Sequence, residues 1–319
     1  MCTAINFTTK DNYFGRNLDL ERSYGESVVI TPRHFPYPFR TLPTLDSHYA
    51  MIGMATVIDN LPLYYEATNE MGLSMAGLNF PDNAHYNAYR EGKDNVAPFE
   101  FIPYILGKCA DLGEAKDTLA NINLVDMNFS EDLPLSPLHW IISDRHGSIT
   151  VESVKEGLMV YDNPFGVLTN NPPFPWHMMN VNNYMGLSEN YPENKLSQNQ
   201  SFNAYSLGMG ALGLPGDFSS ASRFVKAVFV KEKSPCLEGE NESVSHFFHM
   251  LYSVAMPKGC VMTRDGECEY TRYSCCCNTD KGIYYCTTYG NMNITAVDMH
   301  SVNIDAREIY ALSVIDFCT

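Results

Sequence analysis

The chain has 319 residues, a hydrophobic fraction of 45% and a formal net charge of −16 at pH 7. A chain of this length buries a substantial core, and twenty tyrosines beside that apolar fraction exclude a disordered protein. The acidic balance argues against nucleic acid or an anionic membrane as a partner, since either needs a basic face, and no stretch approaches the roughly 20 apolar residues of a membrane span.

Cys2 stands directly behind the initiator methionine, at the head of a β-prone run over 3–8. Lys10-Asp11-Asn12 marks a turn, and 13–18 returns as a second strand. Strands are expected at 50–58, 63–68 and 73–78, the last two joined through Asn69-Glu70-Met71-Gly72. Three- and four-residue apolar spacing then predicts helices over 98–109 and 112–122, with Asp111 as a cap for the second.

Strands resume at 140–143 and 148–154 across Asp144-Arg145-His146-Gly147, followed by a pair at 157–161 and 166–169. A second helical block covers 177–184, 219–230 and 243–255, and strands at 268–277, 282–288 and 309–314 close the chain. Strand runs alternating with helix runs, joined by short turns, predict an α+β layered fold of antiparallel sheets with helices outside. With no internal repeat or long linker, residues 1–319 read as one domain.

The N-terminus carries no basic segment followed by an apolar run, so a cytoplasmic protein is expected. Ten cysteines include the run Cys275-Cys276-Cys277 but no C-x-x-C pair, which reads as reduced packing thiols with no metal site. Alternation over 270–277 suits a strand, with neighbouring thiols on opposite faces.

Possible chemistry gathers around the first hairpin. Phe14-Gly15-Arg16-Asn17-Leu18-Asp19 lies on the strand that returns beside residue 2. An arginine close to a thiol favours the thiolate, and an aspartate can orient an amine. Reference pKa values of ~7.7–8.0 for an α-amine and ~8.5 for a thiol are well matched for proton exchange near neutrality. Removal of Met1 would give Cys2 both a nucleophile and a base.

Three later motifs carry further polar groups. Ala76-Gly77-Leu78-Asn79-Phe80-Pro81 and Leu168-Thr169-Asn170-Asn171-Pro172 each end a strand in a turn and offer oxyanion donors. In Leu214-Pro215-Gly216-Asp217-Phe218-Ser219-Ser220-Ala221-Ser222-Arg223-Phe224, Ser219 or Ser220 caps a helix that holds Arg223 in its first turns. Taken singly, these are equally turn asparagines, a solvated helix arginine and a surface Arg–Asp pair.

In order along the whole chain, however, M-C-T, F-G-R-N-L-D, A-G-L-N-F-P, L-T-N-N-P and G-L-P-G-D-F-S-S-A-S-R-F resemble the choloylglycine hydrolase family of bile salt hydrolases and penicillin V acylases. The resemblance implies a four-layer αββα N-terminal nucleophile hydrolase fold and amide hydrolysis without metal or organic cofactor. By motif it makes Cys2 the nucleophile after loss of Met1, with its α-amine as base and then acid. Arg16 would hold the thiolate and Asp19 the amine, Asn79 and Asn170 would form the oxyanion hole, and Arg223 would complete the charged network. His139, His146 and His177 receive no catalytic role.

Within that family, asparagine at position 79, where penicillin V acylases tend to carry tyrosine, and the missing secretory signal that many Gram-negative relatives carry together point to a bile salt hydrolase of the Gram-positive, intracellular type. The resemblance implies glycine- or taurine-conjugated bile acids as small-molecule substrates and a homotetramer, with penicillin V acylase activity as the alternative. Leu207, where some relatives carry arginine, favours glycine conjugates. A steroid body needs an apolar pocket with few polar anchors. Candidate walls are Leu20 and Tyr24, then Leu61, Leu63 and Tyr65 in the turn-rich segment 58–65, then Met127, Leu135 and Leu138.

Overall fold

Apolar alternation dictates most of the strands, and the computed structural model, which describes residues 1–313, shows how they associate. In chain order the first are β1 (Cys2–Thr8), β2 (Asn12–Leu20), β3 (Glu26–Thr31), β4 (Met51–Ile58), β5 (Leu61–Asn69), β6 (Ser74–Asn79) and β7 (Asp94–Val96). Helices α1 (Phe101–Lys108) and α2 (Leu112–Leu119) precede β8 (Ile122–Leu124), β9 (Leu138–Asp144), β10 (Gly147–Val154), β11 (Gly157–Asp162) and β12 (Val167–Leu168). Helices α3 (Phe174–Val181), α4 (Ser220–Glu232) and α5 (Glu240–Tyr252) follow. Strands β13 (Val261–Met262), β14 (Cys268–Asn278), β15 (Ile283–Thr288), β16 (Thr295–Asp298) and β17 (Tyr310–Ser313) end the described chain.

Two antiparallel sheets form. The first runs β12-β1-β2-β14-β15-β16, with β13 on the end of β14, and the second runs β11-β10-β9-β6-β5-β4-β3-β17. One core cluster joins Ala4, Ile5 and Leu18 of the first sheet to Ile52, Ala76 and Ile141 of the second. It also reaches Phe224 of α4 and Phe247 and Leu251 of α5. A second cluster fills the other face of the second sheet, where Trp140 and Ile142 meet Phe101 and Ile105 of α1 and Ala115 of α2. Helices, sheet, sheet and helices therefore stack as the expected αββα sandwich, because each sheet has two apolar faces to cover.

Local chemistry accounts for the element ends. The Asp111 side chain accepts from the Glu114 N–H and opens α2, and Ser219 does the same for α4 through the Ser222 N–H. Helix α2 stops at Leu119, short of the expected 122, because Ile122 opens β8, which pairs in parallel with β7. The Asn123 amide then bonds Asn95 Oδ1 at 2.7 Å. Helix α3 starts earlier than expected, at Phe174 directly after Pro173.

Segment 58–65, read as a wall around turns, is a β-hairpin. Asp59 and Asn60 both take positive φ, 51° and 64°, so a two-residue turn joins β4 to β5. Strands β3, β7, β8, β13 and β16 lie outside the expected set, and the expected final strand ends at Val314, outside the described residues. On β14, Cys275, Cys276 and Cys277 are all buried. Among the described residues no helix is long and apolar enough to cross a membrane.

Candidate active site

Register between β1 and β2 sets the first distances. Cys2 pairs with Leu18 and Ala4 with Arg16, so these four side chains share one face. That face looks toward the second sheet, where Arg16 Nη1 bonds the carbonyls of Gly77 at 2.6 Å and Tyr65 at 3.1 Å. Asn17 and Asp19 lie on the opposite face, and the Asn17 amide reaches the Leu251 carbonyl of α5. Gly15 permits this arrangement, since a Cβ there would overlap the Cys275 carbonyl of β14. The thiol and the backbone nitrogen of Cys2 thus meet different partners, one set from each face.

Around the nitrogen, Asn170 Oδ1 accepts the Cys2 N–H at 2.8 Å. Arg223 Nη2 donates to the same Oδ1 at 2.7 Å, while its Nη1 donates to Cys2 O at 2.5 Å and Thr3 Oγ1 at 2.6 Å. Arg223 Nη1 stands 4.0 Å from Asp19 Oδ2. Burial lowers the basicity of Arg223, and the opposing charges at Asp19 and Cys2 partly restore it. Asp19 Oδ1 accepts from Thr271 Oγ1 at 2.6 Å, whereas buried Oδ2 has no hydrogen-bond donor among the described residues. The Asn170 amide donates to the Asn79 carbonyl at 2.7 Å, linking both asparagines.

Met1 occupies the end of this cluster. Asp19 N–H bonds the Met1 carbonyl at 2.9 Å, and the Met1 amine donates to the Asp19 carbonyl at 2.7 Å and pairs with Glu269. Burial lowers the pKa of that amine.

Around the thiol, Arg16 is wholly buried, and its Nη2 has no hydrogen-bond acceptor among the described residues. Burial opposes its charge, but the Cys2 thiol, Tyr273 and Glu66 together raise its basicity. Glu66 Oε2 lies 3.7 Å from Arg16 Nη1.

Sequence reasoning brought Cys2, Arg16, Asp19, Asn79, Asn170 and Arg223 forward, and the structure joins all six. It also adds partners to which sequence reasoning gave no part in the site. Ser220 Oγ accepts from the Asn170 N–H at 2.8 Å, and Thr271 holds Asp19. His177 Nε2 lies 2.9 Å from Asn170 O; the carbonyl only accepts, so Nε2 carries the hydrogen. Burial pushes the His177 pKa down to about 4, so the ring is neutral near pH 7. His139 bridges Glu152 and the Thr169 carbonyl at 3.1 and 3.0 Å and stacks on Phe80. Glu66, Glu152 and Thr271 carried no local signal, because each sits in an ordinary strand and acts across the fold.

Of the candidate walls, Leu20 and Tyr65 pack against the core cluster that contains Cys2. Leu61, Leu63 and Tyr65 are half-buried on one face of β5, between fully buried neighbours. Tyr65 bonds Thr56 at 2.8 Å, and Thr56 bonds the carbonyl of Tyr24, which is 38% exposed. Met127 and Leu135 are half-buried in the segment between β8 and β9, where Asn128 Oδ1 takes the Leu135 N–H at 2.9 Å. Leu138 packs on the second cluster with Trp140, on the other side of the sheet from Cys2.

A sandwich of this topology is the N-terminal nucleophile hydrolase fold. The description "Linear amide C-N hydrolases, choloylglycine hydrolase family" matches residues 2–312, and the chain belongs to that family. It is 52% identical over 309 residues, 97% of this chain and 95% of the relative, to the bile salt hydrolase/transferase of Lactiplantibacillus plantarum. The crystal structure of the mutant C2A conjugated bile acid hydrolase from Clostridium perfringens is similar with a TM-score of 0.90 and 40% identity, over 98% of this chain and 97% of that one. Penicillin V acylase from Agrobacterium tumefaciens shares the fold, with a TM-score of 0.77 at 19% identity over 98% and 91% of the two chains.

Proposed function

We propose that the chain, once Met1 is removed, is a bile salt hydrolase that cleaves the amide of glycine- or taurine-conjugated bile acids through the Cys2 thiol. The observation that carries this reading is the 52% identity across nearly the full chain to a protein named for that substrate class. Penicillin V acylase resembles the chain at the level of the fold alone.

In this mechanism loss of Met1 turns the Cys2 nitrogen into a free amine. Asn170 Oδ1 already sits 2.8 Å from that nitrogen, and the unfilled Asp19 Oδ2 takes a further N–H. The thiol proton moves to the amine as Sγ attacks the amide carbon. Asn170 Nδ2 has a second N–H beyond the one given to Asn79 O, and with the Asn79 backbone N–H it receives the oxyanion. Collapse breaks the C–N bond, and the glycine or taurine nitrogen leaves with the proton from the Cys2 amine. Water, deprotonated by the same amine, then hydrolyses the thioester, releasing free bile acid and the thiol. Half-buried apolar residues on β2 and β5 supply a wall for the steroid.

Parallel assays of glycocholate, taurocholate and penicillin V on processed enzyme test this reading. Both bile salts should be cleaved well ahead of penicillin V, and Cys2→Ala should fold and be inactive; faster penicillin V cleavage or an active Cys2→Ala contradicts it. A preference for glycine conjugates is proposed from Leu207 alone, which is 84% exposed, so the first two assays decide it.

We further propose a cytoplasmic homo-oligomer, a tetramer by analogy with the family. Free cysteines at all nine described positions suit a reducing compartment. Segment 182–219 exposes Met185, Leu196, Tyr205, Leu207 and Leu212 by 74–90%, more apolar surface than a lone monomer usually leaves in one segment.

A further inference from the structure

Glu66 has no place in the mechanism above, yet its carboxylate is wholly enclosed between the sheets. Three groups of the first sheet converge on it from across the core. Tyr273 donates to Oε2 at 2.7 Å, Tyr284 to Oε1 at 2.6 Å, and the Cys275 thiol reaches Oε1 at 3.5 Å. Burial raises its pKa above the ordinary carboxylate value, and Arg16, the two phenols and the thiol offset part of that rise. Both phenols are pushed well above their ordinary range by burial, so they serve as neutral donors. Such a cage is what a buried carboxylate requires to stay charged.

The charge faces Arg16. At 3.7 Å from Nη1 the pair is beyond hydrogen-bond reach, and Nη1 is already committed to two backbone carbonyls. Glu66 therefore acts on Arg16 through its field. The guanidinium feels both the Cys2 sulfur and Glu66, each of which raises its basicity. Cys2 is consumed and regenerated in each turnover, whereas Glu66 stays beside Arg16 throughout. Without it Arg16 would be an uncompensated buried cation whenever Cys2 is acylated.

We infer that Glu66 is a positioning residue that sets, through Arg16, how strongly the site stabilises the Cys2 thiolate. A thiolate held by an unopposed arginine forms more readily but is a weaker nucleophile. Glu66 keeps Arg16 from over-stabilising it. The other ionisable groups facing this set are Tyr273 and Cys275 on β14 and Tyr284 and Cys286 on β15. Asp19, Arg223 and the amine at the chain terminus face Cys2 from the other side.

The inference rests on Cys2 as nucleophile, and alkylation of Cys2 with iodoacetamide, followed by mass spectrometry from pH 4 to 9, separates the two. Wild-type enzyme must show that Cys2 is the group whose alkylation abolishes turnover; if it is not, the functional reading fails first. Given that, Glu66→Gln should move the alkylation midpoint to lower pH by about one unit, roughly ten-fold faster labelling on the acid limb, and lower kcat. Glu66→Asp should recover most of the wild-type profile. In an Arg16→Leu background Glu66→Leu should leave the midpoint unchanged. A folded Glu66→Gln with an unshifted midpoint overturns the proposal, as does a shift that persists without Arg16. Should Glu66→Gln not fold, the doubly substituted Arg16→Leu, Glu66→Leu protein decides: folding supports the charge pairing, and failure to fold overturns it.

Discussion

The cluster around Cys2 and the candidate steroid wall are built on opposite principles. In the cluster Arg16, Asp19, Asn170 and Arg223 are at most 4% exposed, and distant parts of the chain are tied together by hydrogen bonds. The wall is half-buried, and its side chains are held largely by apolar contact at a hairpin and two connecting segments. Polar groups in a dry site lose heavily from small displacements, so the cluster tolerates little change. Apolar contact is non-directional, so the wall can vary its shape and select substrates without disturbing the chemistry.

This contrast predicts a ladder of effects. At the steep end, Asn170→Ala removes a proposed oxyanion donor and strands Arg223 Nη2, so kcat should fall by at least about 10²-fold in steady-state assays with glycocholate. A smaller loss would mean that the cluster is not an oxyanion site. Below it lies a stability effect. His177 has its folded pKa at about 4, below the ordinary 6.5, so the unfolded chain binds more protons between these values. Its contribution is therefore complete above about pH 6.5 and falls away as pH drops toward 4, about 3 kcal/mol in all. Thermal melts across that window should show a decline that His177→Phe flattens. The mildest expectation concerns the wall: Leu63→Ala should raise KM for glycocholate by roughly five- to ten-fold and leave kcat within about two-fold. Comparable losses of kcat there would erase the distinction between the two regions.

How far the sequence could be read follows the same division. Turn chemistry and period-two alternation marked the β1–β2 hairpin, and the register Cys2 to Leu18 follows from it. Asp111 and Ser219 announced their helices because a cap is a local bond. Local signals failed where the partner is distant. Strand β8 looked like the end of a helix because its pairing with β7 is made by residues 28 positions away. The strands expected at 50–58 and 63–68 meet across a tighter turn than the sequence suggested, because Asp59 and Asn60 close it alone and β5 starts at Leu61, and Leu138 proved to face the helices α1 and α2. Glu66 was invisible for a related reason: its meaning depends on Arg16, Tyr273 and Tyr284, brought together only when the two sheets close.

The central claim is that Cys2, freed of Met1, carries the acyl group. Rapid quenching of processed enzyme with glycocholate, followed by intact-mass and peptide analysis, tests it most directly. The account predicts a transient cholyl adduct confined to the Cys2 peptide of chains that lack Met1. Turnover with no adduct at Cys2, or equal turnover by chains that keep Met1, would contradict it.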